Sequence, residues 1–192
     1  LGFTDWFHKP EIRFGGPKRA PLSASKRRRL ARGMIVEIDV APCDEKAFAD
    51  VGVALSFGTT EEPELVRKAR ELCKATCGFA SRWKCTGELH VYADAWANNR
   101  SNSLANEKAV GHVVMPRQGL VDKGWPRLAR YGTYLRSNQV GWFNHRRMRG
   151  FYALQPRINV GGQACAFEEM IFIDGDNKRI VGRDSLDEVG TY

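Results

Sequence analysis

At 192 residues, with 43% hydrophobic and 27% charged residues, the chain has the composition of an ordinary folded domain, which excludes global disorder. Its longest apolar runs, around Val51 to Phe57, are strand-sized and fall well short of the ~18 consecutive apolar residues of a membrane helix, so no bilayer-spanning helix is expected. The formal net charge is +8, and where that charge sits says more than its size.

Residues 1–33 carry nine Lys or Arg against Asp5 and Glu11, whereas residues 34–116 carry nine against twelve acids. Residues 117–157 carry nine cations against Asp122 alone, and residues 158–192 carry three against seven. Two basic segments therefore alternate with two acidic ones. Such segregation creates a directional field that draws a polyanion to one side of a protein.

Taken in chain order, the first 33 residues hold Pro10, Gly15-Gly16-Pro17, Pro21 and Lys26-Arg27-Arg28-Arg29, so regular structure is not expected to run far there. Phe3, Trp6, Phe7, Ile12 and Phe14 give this extended basic arm apolar anchors. From residue 34 onward the pattern is that of a folded domain. Met34, Val36, Ile38 and Val40 alternate with Ile35, Glu37 and Asp39, which predicts a half-buried strand closed by Pro42; a second strand follows at about Asp50 to Phe57. Glu61, Glu62 and Pro63 open a helix to about Thr76, with Leu65, Ala69 and Leu72 on one face and Gly78 after it.

Further strands are predicted at Glu88 to Trp96 and Ala109 to Met115, around a loop over 97–106 rich in Asn and Ser. Gly119, Gly124, Pro126, Gly132 and Gly141 interrupt any helix between residues 118 and 144. Strands at about Gly150 to Ile158 and Ala164 to Ile173 precede a turn at Asp174-Gly175-Asp176-Asn177 and a last strand. The expected fold is a strand-dominated α+β domain over residues 34–192, with about seven short strands and one clear helix, preceded by the arm.

Candidate chemistry is sparse. Cys73, Cys77, Cys85 and His90 form a C-x3-C-x7-C-x4-H series, four soft ligands of the kind that enclose a tetrahedral zinc, but without the two-residue spacing of a knuckle. Buried thiols are the preferred reading, and no cofactor is expected. The five cysteines are an odd number in a chain too long to depend on disulfides, which points to a reducing compartment. Asn99-Arg100-Ser101 matches a glycosylation acceptor, a three-residue pattern that arises readily by chance. Gly161-Gly162-Gln163 resembles the tripeptide presented by peptide-release factors, yet a Gly-Gly turn between adjacent strands explains it more simply. The four histidines are scattered, and no phosphate loop, nucleophile elbow or HExxH pattern occurs.

The segment 117–157 interleaves eight Arg and one Lys with seven aromatic residues, including Trp142 and Tyr152. Guanidinium groups bind phosphate and stack on bases, and aromatic rings offer platforms for unpaired bases, so the mixture suits RNA. The expected contacts are Lys26, Arg27, Arg28, Arg29, Arg32, Arg127, Arg130, Arg136, Trp142, Arg146, Arg147, Arg149 and Tyr152.

The resulting expectation is a non-catalytic structural protein of a ribonucleoprotein assembly that contacts RNA and neighbouring subunits, with a mitochondrial ribosome fitting best. The alternatives are an accessory subunit of a mitochondrial respiratory complex and a viral capsid protein with a genome-binding arm. A start at Leu1 implies proteolytic maturation or an incomplete chain, and a removed presequence would place the protein on the matrix side.

Overall fold

Strand pairing begins inside the segment read as an arm. In the computed structural model, which describes residues 5–14, 29–43, 49–106, 108–114 and 138–181, Asp5–Phe14 forms strand β1. It runs antiparallel to β2 (Ile35–Cys43), placing Ile12 opposite Ile38 and Arg13 opposite Glu37. The register shifts on either side of His8, and the second shift spans Pro10, whose ring supplies no backbone N–H to a ladder. Strand β3 (Val51–Ser56) completes this first sheet on the other side of β2.

The first helix is the one the acids at 61–64 announce. Helix α1 (Glu64–Phe79) buries Leu65, Val66, Ala69, Leu72, Cys73, Thr76 and Cys77, a stripe at three- and four-residue spacing, and passes through Gly78 before ending. The next segment corrects the sequence reading. Thr86–Asn98 is helix α2, not a strand, and buries Thr86, Leu89, His90, Ala93 and Ala97. Glu88 closes its first turn by accepting the Cys85 backbone N–H at 2.7 Å, and the three alanines at 93, 95 and 97 favour helix over strand.

The remaining strands are β4 (Ser103–Leu104), β5 (Gly111–Val114), β6 (Gly150–Leu154), β7 (Arg157–Val160), β8 (Gln163–Ala166), β9 (Glu169–Asp174) and β10 (Asn177–Val181). They form two further antiparallel sheets, in the orders β10-β9-β6-β5 and β4-β7-β8. Gly161 and Gly162 make the two-residue turn between β7 and β8, at φ 58° and 81°, a left-handed pair that hairpin twist demands. That accounts for the Gly-Gly-Gln tripeptide structurally.

The described residues thus hold ten strands and two helices, against an expectation of about seven strands and one helix. The fold is a small, strand-rich α+β domain. Its core is built where α1 and α2 meet the sheets, around Val66, Leu72, Leu89, Tyr152, Leu154, Ile158, Ile171 and Ile173. Among the described residues, no helix is long and apolar enough to cross a membrane.

One inversion of the expected pattern positions the site. On β2 the face of Ile35, Glu37, Asp39, Ala41 and Cys43 is buried throughout, while on the opposite face Val36 is buried but Ile38 and Val40 are only partly so. The acids point inward. Across from them on β3 stand the two smallest options, Ala54 opposite Glu37 and Gly52 opposite Asp39.

Candidate metal centre

Buried carboxylates need partners, because an isolated charge loses far more hydration than a low-dielectric interior returns. Glu37 finds one in Arg157 of β7, whose Nη1 and Nη2 donate to its two oxygens at 2.7 and 2.6 Å, a bidentate fork. Asp39 finds another in Arg13 of β1, whose Nη2 donates to Oδ2 at 3.0 Å while Nη1 lies 3.6 Å from Glu37. Burial by itself would lower the Arg13 pKa. The hydrogen bond to Glu11 and the charges of Glu11, Asp39 and Glu37 outweigh it and hold the guanidinium above its ordinary value.

Beyond Asp39 lies a second group of acids. Asp50, just before β3, His112 on β5 and Glu168, between β8 and β9, each aim one donor atom at a common point, and the three atoms lie within 4.8 Å of one another. His112 Nε2 is 3.0 Å from Asp50 Oδ2 and 3.9 Å from Glu168 Oε1. The Asp50 and Glu168 side chains are 2% and 4% exposed and that of His112 is 15% exposed, so solvent reaches the group from the His112 side.

The positions are set by backbone. Gly52 and Glu168 exchange two main-chain hydrogen bonds, Gly52 N–H to Glu168 O at 3.3 Å and Glu168 N–H to Gly52 O at 2.8 Å, which lock β3 to the turn that carries Glu168. A Cβ at position 52 would sit 3.0 Å from Glu168 Cβ and 3.4 Å from Gln155 Nε2, so glycine permits this approach. The Asp50 N–H points at Met170 Sδ, 3.2 Å away. His112 Nδ1 faces the Val113 carbonyl at 3.2 Å, and a proton donated there leaves Nε2 as the ligand atom.

Gln155 ties the two acid groups together. Its Nε2 donates to Asp39 Oδ2 at 3.2 Å and to Glu168 Oε2 at 3.0 Å. Its backbone is held equally firmly, since its N–H donates to Val110 O at 2.7 Å and its carbonyl accepts from Asn106 Nδ2 at 2.8 Å. Asn106 Oδ1 then takes the Arg157 N–H at 2.9 Å, so one side chain braces both Gln155 and Arg157.

Two carboxylates and an imidazole, converging in a largely buried and anionic setting, fit a first-row divalent cation by donor type and by charge. A second grouping, Cys73 and Cys77 of α1 with Glu169, also lies within 4.8 Å, and there the hydrogen bond with Cys77, followed by burial, pushes the Cys73 thiol well up.

The zinc series read in the sequence does not assemble. Cys73 and Cys77 sit in the core, Cys85 caps α2 with its Sγ 3.9 Å from His145 Nδ1, and His90 lies on α2. Of the residues expected to contact RNA, Lys26, Arg27, Arg28, Arg127, Arg130 and Arg136 lie outside the described residues. Arg29, Arg32, Trp142, Arg146, Arg147 and Arg149 are exposed; Arg147 Nη1 donates to Trp83 O at 2.6 Å, and the loop 142–149 wraps the start of α2 through Thr86. Tyr152 is buried, with its hydroxyl oxygen accepting the Arg149 N–H at 3.0 Å, and presents no ring face for a base.

Asp39, Asp50, His112, Gln155 and Glu168 escaped the sequence reading because they are spread over 130 residues. The one local signal was a strand whose only acids, Glu37 and Asp39, fall on the same face.

No family model matches this sequence, and no curated protein matches it. Solved structures do match its fold. They include a prolidase from Pyrococcus furiosus, with a TM-score of 0.66 and 15% identity over 93% of this chain and 50% of that one. An X-Pro aminopeptidase from Thermotoga maritima matches with a TM-score of 0.64 and 14% identity over 93% and 48%. A methionine aminopeptidase from the same organism matches with a TM-score of 0.66 and 18% identity over 89% and 72%. The chain spans about half the length of the first two. The fold is therefore the pita-bread fold of these peptidases. This corrects the expectation of a non-catalytic, RNA-binding ribosomal protein, together with its respiratory and capsid alternatives. Surface arginines and aromatics do not determine the architecture, whereas the sheets that gather the buried acids do.

Proposed function

We propose that this chain is the hydrolase domain of a metal-dependent peptidase, with Asp50, His112 and Glu168 as the residues that hold the ion. The observation that carries the reading is the convergence of those three donor atoms within 4.8 Å, drawn from separate elements of a fold shared with peptidases. When bound, a divalent ion would supply Lewis acidity toward the carbonyl of a scissile peptide bond.

The chain's own residues do the positioning. Asp50 and Glu168 supply the negative charge that draws a cation inward, and the Gly52–Glu168 backbone pairing keeps their carboxylates from parting. His112, the most exposed of the three, borders the side from which a peptide would approach. Beside the centre, Arg157 and Arg13 pair with Glu37 and Asp39 and fix where those carboxylates sit. The substrate class follows from the neighbours' names, which span X-Pro and methionine aminopeptidases, prolidases and dipeptidases, so short peptides are the substrates to try.

The test is a panel of X-Pro dipeptides and Met-initiated peptides, assayed after EDTA treatment and again after adding Mn2+, Co2+ or Zn2+, with ion binding followed by calorimetry. Hydrolysis that returns with the ion and is lost in His112→Ala and Asp50→Asn is the expected result. A folded protein that binds none of these ions and cleaves nothing in the panel would sink the reading.

A further inference from the structure

We infer that Cys73 and Cys77 of α1, with Glu169 of β9, form a separate, closed structural metal site of the class that takes zinc. The inference goes beyond the peptidase reading and does not depend on it. Cys73 and Cys77 are four residues apart on the buried face of α1, so their sulfurs meet on one side of the helix, and both residues are fully buried. The register of the sheet beneath supplies the third donor. Leu154 of β6 comes close enough to α1 for the Cys73 thiol to donate to its carbonyl at 3.6 Å, and Leu154 pairs directly with Glu169. One ligand atom from each of Cys73, Cys77 and Glu169 lies within 4.8 Å of the other two.

Glu169 gives the independent sign of a cation. Its Oε2 is buried and has no hydrogen-bond partner among the described residues, a cost that a coordinated ion would offset. The donor set then selects the ion, since two thiolates beside one carboxylate suit zinc far better than a hard cation. The Leu154 carbonyl is within reach as a fourth, oxygen ligand: its distance from Cys73 Sγ is about that of an S···O edge in a tetrahedral zinc site, roughly 3.6 Å. Cys77 is held in place from the other side, because Lys178 Nζ of β10 donates to its carbonyl at 3.1 Å and to that of Gly78 at 2.6 Å. The Cys73 thiol, pushed up by its hydrogen bond with Cys77, by burial and by the nearby carboxylates, gives up its proton on coordination. Glu168 and Glu169 are neighbours in the chain, and extended backbone sends their side chains to opposite sides. Glu168 joins Asp50 and His112, whereas Glu169 joins the thiols, so the two sites differ in the sulfur that only one of them contains.

That difference is what cobalt reports. The full chain is produced in cobalt-supplemented medium, so that ion uptake accompanies folding, and its absorption spectrum is recorded under reducing conditions. The wild type should show a sulfur-to-cobalt charge-transfer band in the near ultraviolet and the intense visible bands of four-coordinate Co2+. Both should vanish in Cys73→Ser and Cys77→Ser and persist in Cys85→Ser, and Glu169→Gln should retain less cobalt per chain than the wild type. Circular dichroism establishes that each variant is folded. Should the two core serine variants not fold, the wild-type spectrum and Glu169→Gln, changed at a partly exposed residue, still decide. A folded wild type without the sulfur band would overturn this inference, and cobalt-dependent hydrolysis in that same sample would leave the peptidase reading intact. A sulfur band that survives in folded Cys73→Ser and Cys77→Ser, or that is unchanged in Glu169→Gln, would overturn it as well. The band without any hydrolysis would uphold this site and count against the peptidase reading alone.

Discussion

Gly52 is the residue on which the site leans most directly, because its missing side chain lets β3 touch the turn that carries Glu168. Adding a methyl group there meets Glu168 Cβ at 3.0 Å and the Gln155 amide at 3.4 Å. Overpacking of this kind costs roughly 1–3 kcal/mol, so Gly52→Ala should lower the urea midpoint and weaken Mn2+ binding together. A variant that loses neither would show that the contact is slack. Tyr152 makes a smaller claim. Its buried hydroxyl accepts the Arg149 N–H, and Tyr152→Phe should cost about 1 kcal/mol in chemical denaturation.

Cys165 gives the residue scale its pH dependence. Burial, and next the charge of Glu37, push its thiol from 9.0 up to about 12. The folded protein therefore holds a proton that the unfolded chain releases above about pH 9, and stability falls as that window opens. The contribution is intact below pH 9 and is lost as pH rises toward 12. Denaturation midpoints measured from pH 8 to pH 10.5 should fall, and should fall less steeply in Cys165→Ala. Equal slopes in the two proteins would refute the assignment.

Among the elements, β2 is the most instructive. Its alternation was legible, but an alternating strand has two faces, and the rule that apolar residues point inward selects the wrong one here. Glu37 and Asp39 can face inward because Arg13 and Arg157 arrive from β1 and β7, and neither of those partners is near in sequence. Breaking such a pair from one side leaves a buried charge uncompensated, at a cost of about 3–5 kcal/mol. Arg157→Met should show a loss of that order in thermal or urea unfolding, and Arg157→Met combined with Glu37→Met should recover much of it. A double variant no better than the single one would mean that the pair matters by shape and not by charge. Helix α2 was misread for a related reason. Thr86 to Asn98 mixes apolar and polar residues with little periodic contrast, and its alanines are informative only once the helix is packed.

At the scale of the whole molecule, the three antiparallel sheets and two helices of the described residues bring together side chains from β1, β2, β5 and β7, from the approach to β3, and from the turns after β6 and β8. A strand-rich scaffold suits this, since each strand edge delivers one side chain to a fixed point and the backbone ladder holds it there. The activity and ion-binding measurements above belong to this scale, because they succeed only if all the elements meet as described.

The sequence by itself determined the elements whose pattern is local: the strands β2 and β3, the helix α1 with its acidic start, the Gly-Gly turn and the hairpin after Asp174. It also determined the class, a strand-rich α+β domain. Only the tertiary structure decided which face of β2 is buried, that residues 86–98 are helical, and that Asp50, His112 and Glu168 share a point in space. The physical reason is the same in each case. The free energy of a buried charge depends on partners tens of residues away, and those partners are chosen by sheet topology, which no local pattern of residues records.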